Sequence, residues 1–375
     1  ICKVSDPSVS AKNEVISSET AVSSVVSALW TSRIGISALA SIETKKNQLL
    51  VGGKSISDIA AQAGQTPFYV YDRQRIKKQL RAYRDAIPGE VHLHYAVKAN
   101  PMPALVGFLQ DKVQGFDVAS AKEMQVALDA GMDPALISFA GPGKQTNELK
   151  QAVAAEIVIN AESESELERI SFIAAELGKQ PRVAIRINPD FELKSSGMKM
   201  GGGAKQFGID AERVPQVLEN WDSSVLEFAG FHIFSGSQNL RPEAIIEAQN
   251  NAVELAIRMS QFAPKPPEVL NIGGGFGIPY FPGEASLDLQ PIGDNLRSLC
   301  QCMAEELPQT QLVIELGRYI VGESGYYVCE VVDKKVSRGE VFLVTNGGIH
   351  HHLAATGNFG QVIRKNYPVV IGNRI

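Results

Sequence analysis

The 375-residue sequence predicts an α/β protein with a (β/α)₈ TIM-like barrel followed by the beginning of an antiparallel β domain. Eight short apolar segments, bounded by Gly, Pro, Asn or Ser, alternate with helical patterns over about 230 residues, a count and length that match such a barrel. After Gly317 the pattern changes to an alternation of period two, which is typical of antiparallel strands. A doubly wound open sheet is the alternative arrangement of the same alternating elements.

The regular pattern begins with the apolar segment 68–71, which predicts a short strand. Asp72 follows it and has a residue type that caps helices, so we expect a helix from there to about Ile87. The eight barrel strands are expected, in chain order, at residues 91–97, 115–119, 136–140, 157–161, 182–188, 228–234, 268–272 and 311–316. Helical patterns lie between them and are clearest at residues 121–130, 164–177 and 243–262.

These patterns divide the chain into three predicted regions. Residues 1–65 are expected to form an N-terminal extension and a first segment of the β domain, although residues 1–45 carry no periodic core pattern. Residues 66–318 are expected to form the barrel. Residues 319–375 are expected to be the start of a C-terminal β domain that stops before it is complete.

Composition excludes several classes of function. The chain is 44% hydrophobic and 21% charged, as ordinary globular proteins are, and its net charge of −5 argues against a nucleic-acid partner. No apolar run approaches the roughly 20 residues of a membrane span. The four cysteines are too few and too scattered for a disulfide framework, so we predict a reducing, cytoplasmic setting.

Lys98 follows the first predicted barrel strand, immediately before the turn pair Asn100-Pro101. An ammonium is costly to bury without a partner, so a lysine at the end of an apolar strand invites two interpretations. It could extend from the strand end into solvent, or it could be a partly desolvated amine that reacts with a carbonyl group.

The ends of other predicted strands carry a complementary set of groups. Because the chemistry of a barrel collects at the carboxyl ends of its strands, we expect these groups to converge. The glycines 273–275 expose backbone N–H groups suited to an anion, and Ser237 and Arg318 can add a hydroxyl and a guanidinium. Glu315 supplies a carboxylate, which could instead simply pair with Arg318. An amine, an anion cradle and a carboxylate together suit pyridoxal 5′-phosphate (PLP), a cofactor with an aldehyde, a phosphate and a basic ring nitrogen.

From about residue 66 to residue 345 the chain resembles the fold-type III PLP-dependent decarboxylases, the family of ornithine and diaminopimelate decarboxylases. The segments that carry the resemblance are Tyr95-Ala96-Val97-Lys98-Ala99-Asn100, Gly115-Phe116-Asp117-Val118-Ala119-Ser120, Arg186-Ile187-Asn188-Pro189, Phe207-Gly208-Ile209, Gly236-Ser237-Gln238, Gly273-Gly274-Gly275-Phe276-Gly277 and Glu315-Leu316-Gly317-Arg318. Each is weak alone, but all occur in the family's order. The Arg-Ile-Asn-Pro segment and the segment that follows Gly275 look closer to diaminopimelate decarboxylases.

The resemblance implies an alanine racemase-like barrel that binds PLP, with Lys98 and Glu315 as the catalytic residues. The cofactor-binding set that it implies is Lys98, Asp117, Arg186, Phe234, Ser237, Gly274, Gly275, Glu315, Gly317 and Arg318. It also implies a homodimer, with a cysteine, an acidic segment and a tyrosine supplied by the C-terminal domain. We expect those residues to lie beyond Ile375, so that residues 1–375 alone would not turn over substrate.

Two departures from the family pattern concern the site. Phe234 stands where the family usually has a histidine stacked on the cofactor, and His232 lies two residues earlier. The segment around Phe234 resembles a subgroup that acts on less usual substrates, including carrier-bound amino acids. Thr345 and Asn346 stand where an acidic residue is usual. Three consecutive histidines follow at residues 350–352, but neighbouring side chains diverge, so no metal site is predicted.

The leading functional hypothesis is PLP-dependent α-decarboxylation of an amino acid, free or bound to a carrier protein. A PLP-dependent amino-acid racemase or epimerase is the first alternative, because it shares the barrel. A non-catalytic PLP-binding barrel protein is the second, and the β pattern after Gly317 disfavours it. The expected partners are a small amino-acid substrate and a second copy of the chain, with neither nucleic acid nor membrane.

Overall fold

The computed structural model describes residues 2–4, 43–192, 198–199, 201–280, 283–352 and 369–374. The chain forms two compact units. The barrel unit consists of Ile76–Ile278 and Ser286–Glu323, and the β unit consists of Ile1–Arg75, Pro279–Ala285 and Ser324–Ile375. The domain boundaries drawn from the sequence remain a prediction.

The barrel unit contains eight parallel strands. They are β1 (His92–Ala96), β2 (Gly115–Val118), β3 (Ile137–Phe139), β4 (Val158–Ala161), β5 (Arg182–Asn188), β6 (Glu227–Ile233), β7 (Val269–Gly274) and β8 (Gln311–Leu316). Each strand pairs in parallel with the next, β4 pairs with β5, and β8 pairs with β1. Because this pairing closes the sheet, the predicted barrel is confirmed and the open doubly wound sheet is excluded.

Each of the eight barrel strands is followed by a helix. These are α1 (Pro103–Leu109), α2 (Ala121–Asp129), α3 (Thr146–Ala154), α4 (Glu164–Leu177), α5 (Val214–Glu219), α6 (Pro242–Ser260), α7 (Gln290–Glu306) and α8 (Arg318–Val321). The helix Arg73–Ala86 precedes β1. The local sequence determines where α4 begins and ends. The Ser163 hydroxyl accepts a hydrogen bond from the backbone N–H of Glu166 at its start, and Gly178, with a φ of 61°, ends it.

The core of the barrel unit is built from the strand side chains and from the apolar faces of the helices. Its largest fully buried side chains include Tyr95, Phe116, Phe139, Phe228 and Phe231. Tyr95 meets Phe116 edge to face at a centroid distance of 6.2 Å, and Phe228 meets Phe231 at 5.4 Å. Several charged and polar strand residues are buried as well, and buried polar groups require partners.

The β unit contains short antiparallel strands, as the sequence predicts for the C-terminal domain. Its strands are Cys2–Val4, Thr44–Lys45, Gln48–Val51, Lys54–Ser55, Phe68–Tyr71, Gly325–Val328, Val331–Ser337 and Glu340–Thr345. Val331–Ser337 pairs with Glu340–Thr345, which also pairs with Cys2–Val4. Leu49, Val51 and Ile56 form a small core. Among the described helices, none has the length and apolar character needed to cross a membrane.

Candidate active site

Lys98 and Glu315 meet at the carboxyl ends of neighbouring strands. Strand β1 ends at Ala96, and a 3₁₀ turn at Val97–Ala99 carries Lys98. The Lys98 Nζ lies 3.3 Å from Oε1 of Glu315, which precedes the last residue of β8. The Lys98 side chain is 57% exposed, whereas that of Glu315 is 5% exposed. The amine is therefore open to reactants, while its carboxylate partner is fixed inside the barrel.

His232 contacts the other oxygen of the same carboxylate. Its Nε2 lies 3.4 Å from Oε2 of Glu315, and its side chain is only 2% exposed. The sequence-based site did not include His232. The available signal was a histidine between the apolar residues Phe231 and Ile233 of β6, where a buried polar ring needs a partner.

Lys98 and Glu315 hold each other in the charged form. The negative charge of Glu315 raises the pKa of Lys98 above its ordinary value, and this effect outweighs the burial that acts against it. Burial by itself would raise the pKa of Glu315, but the positive charges of Lys98 and Arg186 and the contact with His232 together lower it. Lys98 and Glu315 therefore form an ammonium–carboxylate pair.

Arg186 lies in β5 and is held by a carboxylate that sequence reasoning missed. Its Nη1 is 2.8 Å from Oε1 of Glu162, and both side chains are at most 8% exposed. The guanidinium also lies 4.8 Å from the centre of the Phe207 ring. The amide of Gly208 donates to the second Glu162 oxygen at 3.3 Å. The predicted Phe-Gly-Ile segment is therefore folded back onto Arg186.

Asp117 is the buried carboxylate at the end of β2. Its Oδ1 accepts a hydrogen bond from the Ser138 hydroxyl and lies 3.5 Å from Nδ1 of His94. Its Oδ2 is buried and has no hydrogen-bond partner among the described residues. Because the negative charge of Asp117 helps to raise the pKa of Lys98, Asp117 belongs to the same electrostatic site.

The glycines after β7 form a closely packed loop. Gly273 and Gly275 have φ values of 69° and 73°, a region that side chains rarely adopt. A Cβ on Gly275 would overlap the carbonyl oxygen of Gly236, and one on Gly273 would overlap the Phe234 ring. The sequence predicts an anion cradle at this loop. In the structure the loop backbone packs directly against the segment that contains Ser237.

The remaining predicted residues lie around the same strand ends. Phe234 is half-buried, and its ring centre is 5.9 Å from Lys98 Nζ. Gly317 packs against the methyl groups of Ala96 and Ala99, beside the turn that carries Lys98. Arg318 is the first residue of α8 and is half-buried.

This arrangement fits PLP. At Gly274 and Gly275 the backbone has no room for a Cβ, and a loop without side chains is the kind of backbone that can approach a phosphate closely. The accessible Lys98 amine suits the aldehyde, and the buried, ionised Glu315 suits a protonated ring nitrogen. In the described part of the chain no cluster of three metal-ligating side chains occurs.

Comparisons with known proteins point to one family. The sequence profile of a family described as pyridoxal-dependent decarboxylase, pyridoxal binding domain, matches residues 73–322. The chain is 39% identical over 308 residues to L-glutamyl-[BtrI acyl-carrier protein] decarboxylase of Niallia circulans, a match that covers 81% of this chain and 72% of the relative. It is 35% identical over 315 residues to diaminopimelate decarboxylase of Aquifex aeolicus (strain VF5), covering 82% and 72% of the two chains.

The fold is similar to that of solved structures as well. The structure of diaminopimelate decarboxylase from M. jannaschii in co-complex with L-lysine matches with a TM-score of 0.73 at 26% identity. This match covers 83% of the present chain and 74% of the other.

Proposed function

This chain belongs to the family of pyridoxal-dependent decarboxylases and is an amino-acid decarboxylase, and from this premise we propose that the carboxyl end of its barrel is where PLP and substrate bind. One observation carries the proposal. Lys98 is paired at 3.3 Å with a buried, ionised glutamate, next to a glycine loop that has no room for side chains. A structural ion pair would not need the glycine loop.

The roles of the residues follow from their positions. Lys98 would hold the aldehyde carbon of the cofactor, and Glu315 would keep a proton on its ring nitrogen. The amides after β7, together with Ser237 and Arg318, would hold the phosphate, and the Phe234 ring offers an aromatic surface beside Lys98. Bound PLP supplies the electron sink for the bond that breaks at the substrate Cα.

Lys98 must lose a proton before it can react with an aldehyde, because only the neutral amine is nucleophilic. Because the pKa of Glu315 is lowered, this carboxylate is a weak base and stays ionised. The ammonium proton therefore leaves to solvent through the exposed side of Lys98. Glu315 then retains the negative charge that a protonated ring nitrogen requires, while His232 holds its second oxygen in place.

We further propose that the substrate is an amino acid carried on a protein, with free diaminopimelate as the second candidate. The relative at 39% identity is named for a carrier-bound glutamyl substrate, whereas that at 35% is named for diaminopimelate. Phe234 in place of the usual histidine also supports the less usual substrate. Cytoplasmic location and a homodimer, in which a second copy completes the site, are parts of the same proposal.

The substrate proposal is tested by a direct competition. The full-length protein saturated with PLP is given carboxyl-labelled glutamate as a carrier-protein thioester, free glutamate and free diaminopimelate, and kcat/KM for CO₂ release is measured for each. We expect the thioester to give the highest value. A higher value for free diaminopimelate would overturn the carrier proposal but leave the decarboxylase assignment intact.

A further inference from the structure

A cavity of about 220 Å³ enters the barrel unit from the amino-terminal ends of its strands, opposite the site that contains Lys98. We call it the floor cavity. Its outer rim includes Arg182, Glu268 and Gln311, which are at or next to the first residues of β5, β7 and β8. Its inner wall includes His94, Ser138 and Asn160.

The floor cavity is open to solvent at its rim and continues between the strands. Arg182 and Glu268 form an ion pair of 2.9 Å, and their side chains are 28% and 40% exposed. Deeper in the barrel, Ser138 lies between Ile137 and Phe139, which are both completely buried, yet Ser138 itself is only half-buried. Solvent therefore reaches the middle of β3 from within the barrel.

The wall of the floor cavity is mostly apolar but carries several hydrogen-bonding groups that can hold water. It includes the imidazoles of His92 and His94 and the amides of Asn160, Asn271 and Gln311. An apolar cavity stays dry, but one with several hydrogen-bonding groups is hydrated. Since each water molecule takes roughly 30 Å³ of liquid volume, the space suffices for several of them.

Hydrogen bonds connect the inner wall to Asp117. The Asn160 amide donates to the Ser138 hydroxyl at 3.3 Å, and that hydroxyl donates to Oδ1 of Asp117. The Nδ1 of His94 lies 3.5 Å from the same oxygen. Asp117 in turn acts electrostatically on Lys98. A continuous polar path thus runs from the barrel floor to Asp117.

We propose that the floor cavity is a hydrated passage through which water and protons reach His94 and Asp117 from the amino-terminal end of the barrel. The carboxyl end is then free to be filled by cofactor and substrate without isolating these buried groups from solvent. Among the wall residues, His94 and Ser138 are positioning residues for Asp117, and both can pass on a proton.

The passage is tested by hydrogen exchange at the C2 carbon of histidine, measured by mass spectrometry on protein saturated with PLP. The chain supplies its own references, because His350 is exposed and His232 is 2% exposed and does not line the cavity. We expect His94, although 7% exposed, to exchange at a rate near that of His350. Protection of His94 equal to that of His232 would overturn the proposal.

Filling the floor cavity provides the second part of the test. Val269 is half-buried on the cavity wall, so Val269→Phe should block the passage and slow the exchange of His94 severalfold. Val336→Phe adds the same ring to an exposed strand of the β unit and should change nothing. If Val269→Phe does not fold, Val269→Leu gives a smaller slowing. Unchanged exchange of His94 in the folded cavity variant would show that its water arrives by another route.

Discussion

At the scale of single residues, the site depends on one buried carboxylate that has two partners. Glu315 faces Lys98 with one oxygen and His232 with the other, at 3.3 and 3.4 Å. Glu315 and His232 are almost fully buried, whereas Lys98 is more than half exposed. This asymmetry means that the carboxylate is kept in position and the amine is the group that can change partners.

Replacing Lys98 tests which amine holds the cofactor. In Lys98→Ala we expect no covalent attachment of PLP after reduction with borohydride, because the variant lacks the amine that lies beside Glu315. Peptide mass spectrometry on the reduced protein measures the attachment. Lys122→Ala, which removes an exposed lysine of α2, is the control and should be labelled like the wild type. A label on any lysine other than Lys98 would contradict the assignment.

Replacing Glu315 tests the electrostatic pairing through its pH dependence. Glu315 raises the pKa of Lys98, so at a given pH it reduces the fraction of neutral, reactive amine. Glu315→Gln removes that charge, and the rate at which cofactor-free protein captures PLP should rise at neutral pH and reach its plateau at lower pH. Stopped-flow absorbance measures the rate, and Glu254→Gln on the exposed face of α6 is the control.

The same Glu315→Gln variant should decarboxylate substrate more slowly by orders of magnitude, because the developing charge loses its stabilisation. Only a carboxylate that both raises the pKa of Lys98 and stabilises the charge developing during decarboxylation is expected to show this combination: its removal makes PLP capture faster and turnover slower. A variant with an unchanged capture profile and near wild-type turnover would count against both.

Sequence could predict Lys98 and Glu315 because each stands at the end of an apolar strand, where a charged residue is conspicuous. It could not predict His232, Glu162 or Ser138. Their contacts depend on the parallel register of strands that are far apart in sequence, such as Glu315 opposite His94 and His232 opposite Asn271. A one-residue change of register would turn these side chains away from the site.

At the scale of elements, the loops that follow the barrel strands position backbone and side-chain groups around the strand ends. The glycine loop after β7 is the clearest case. The Asn239 amide donates to the Gly275 carbonyl at 2.9 Å, and the Asn271 side chain accepts from the Gly273 amide at 2.8 Å. The loop is therefore fixed on both sides before any cofactor binds.

Gly275→Ala should weaken PLP binding while leaving the fold intact. The added Cβ would meet the Gly236 carbonyl and would have to adopt a φ of 73°, so the loop must shift away from the segment that contains Ser237. Equilibrium titration followed by fluorescence measures the affinity for PLP. Gly143→Ala, at a position with open space and no positive φ, is the control and should bind normally. Equal affinity in both variants would exclude the loop as the phosphate cradle.

Lys144 connects the segments at the ends of β3 and β4 through buried hydrogen bonds. Its Nζ donates to both oxygens of Glu166 and to the carbonyl oxygens of Gly141 and Asn160, at distances of 2.7 to 3.1 Å. Both side chains of the ion pair are at most 2% exposed. Burial lowers the pKa of Lys144, so the ammonium depends on these acceptors.

Lys144→Met should lower the free energy of unfolding by about 3–5 kcal/mol, because it leaves the Glu166 carboxylate buried without its partner. Guanidinium denaturation measures the change, and the double variant Lys144→Met/Glu166→Leu should recover most of it. Lys150→Met removes a pair with Glu176 in which both side chains are over 40% exposed, and should cost less than about 1 kcal/mol. A similar loss in the single Lys144 and Lys150 variants would contradict this account.

The eight barrel strands could be predicted because each is long enough to show an apolar run between turn residues. The short strands Met198–Lys199, Ile209–Asp210 and Gly236–Ser237 could not, since two residues carry no periodicity. Gly52 and Gly53 turn a hairpin at φ 57° and 79°, and Ser55 caps the helix Ile56–Ala63.

At the scale of the whole molecule, barrel closure gathers the candidate site at one end of eight parallel strands. Every predicted cofactor-binding residue lies either among the last three residues of a barrel strand or in the segment that follows it. The floor cavity lies at the opposite end. Sequence could predict the fold class from the number and order of elements, whereas the cavity depends on which side chains share the barrel interior.

The most direct test of the central claim is CO₂ release from carboxyl-labelled substrate, with the carrier-bound and free amino acids offered to the full-length protein saturated with PLP in deuterated water. We predict release of labelled CO₂ that requires PLP and is lost in Lys98→Ala, with deuterium appearing at Cα of the decarboxylated product. Deuterium at Cα of an amino acid that retains its carboxyl group, without CO₂, would instead show a racemase and contradict the decarboxylase mechanism proposed for this site.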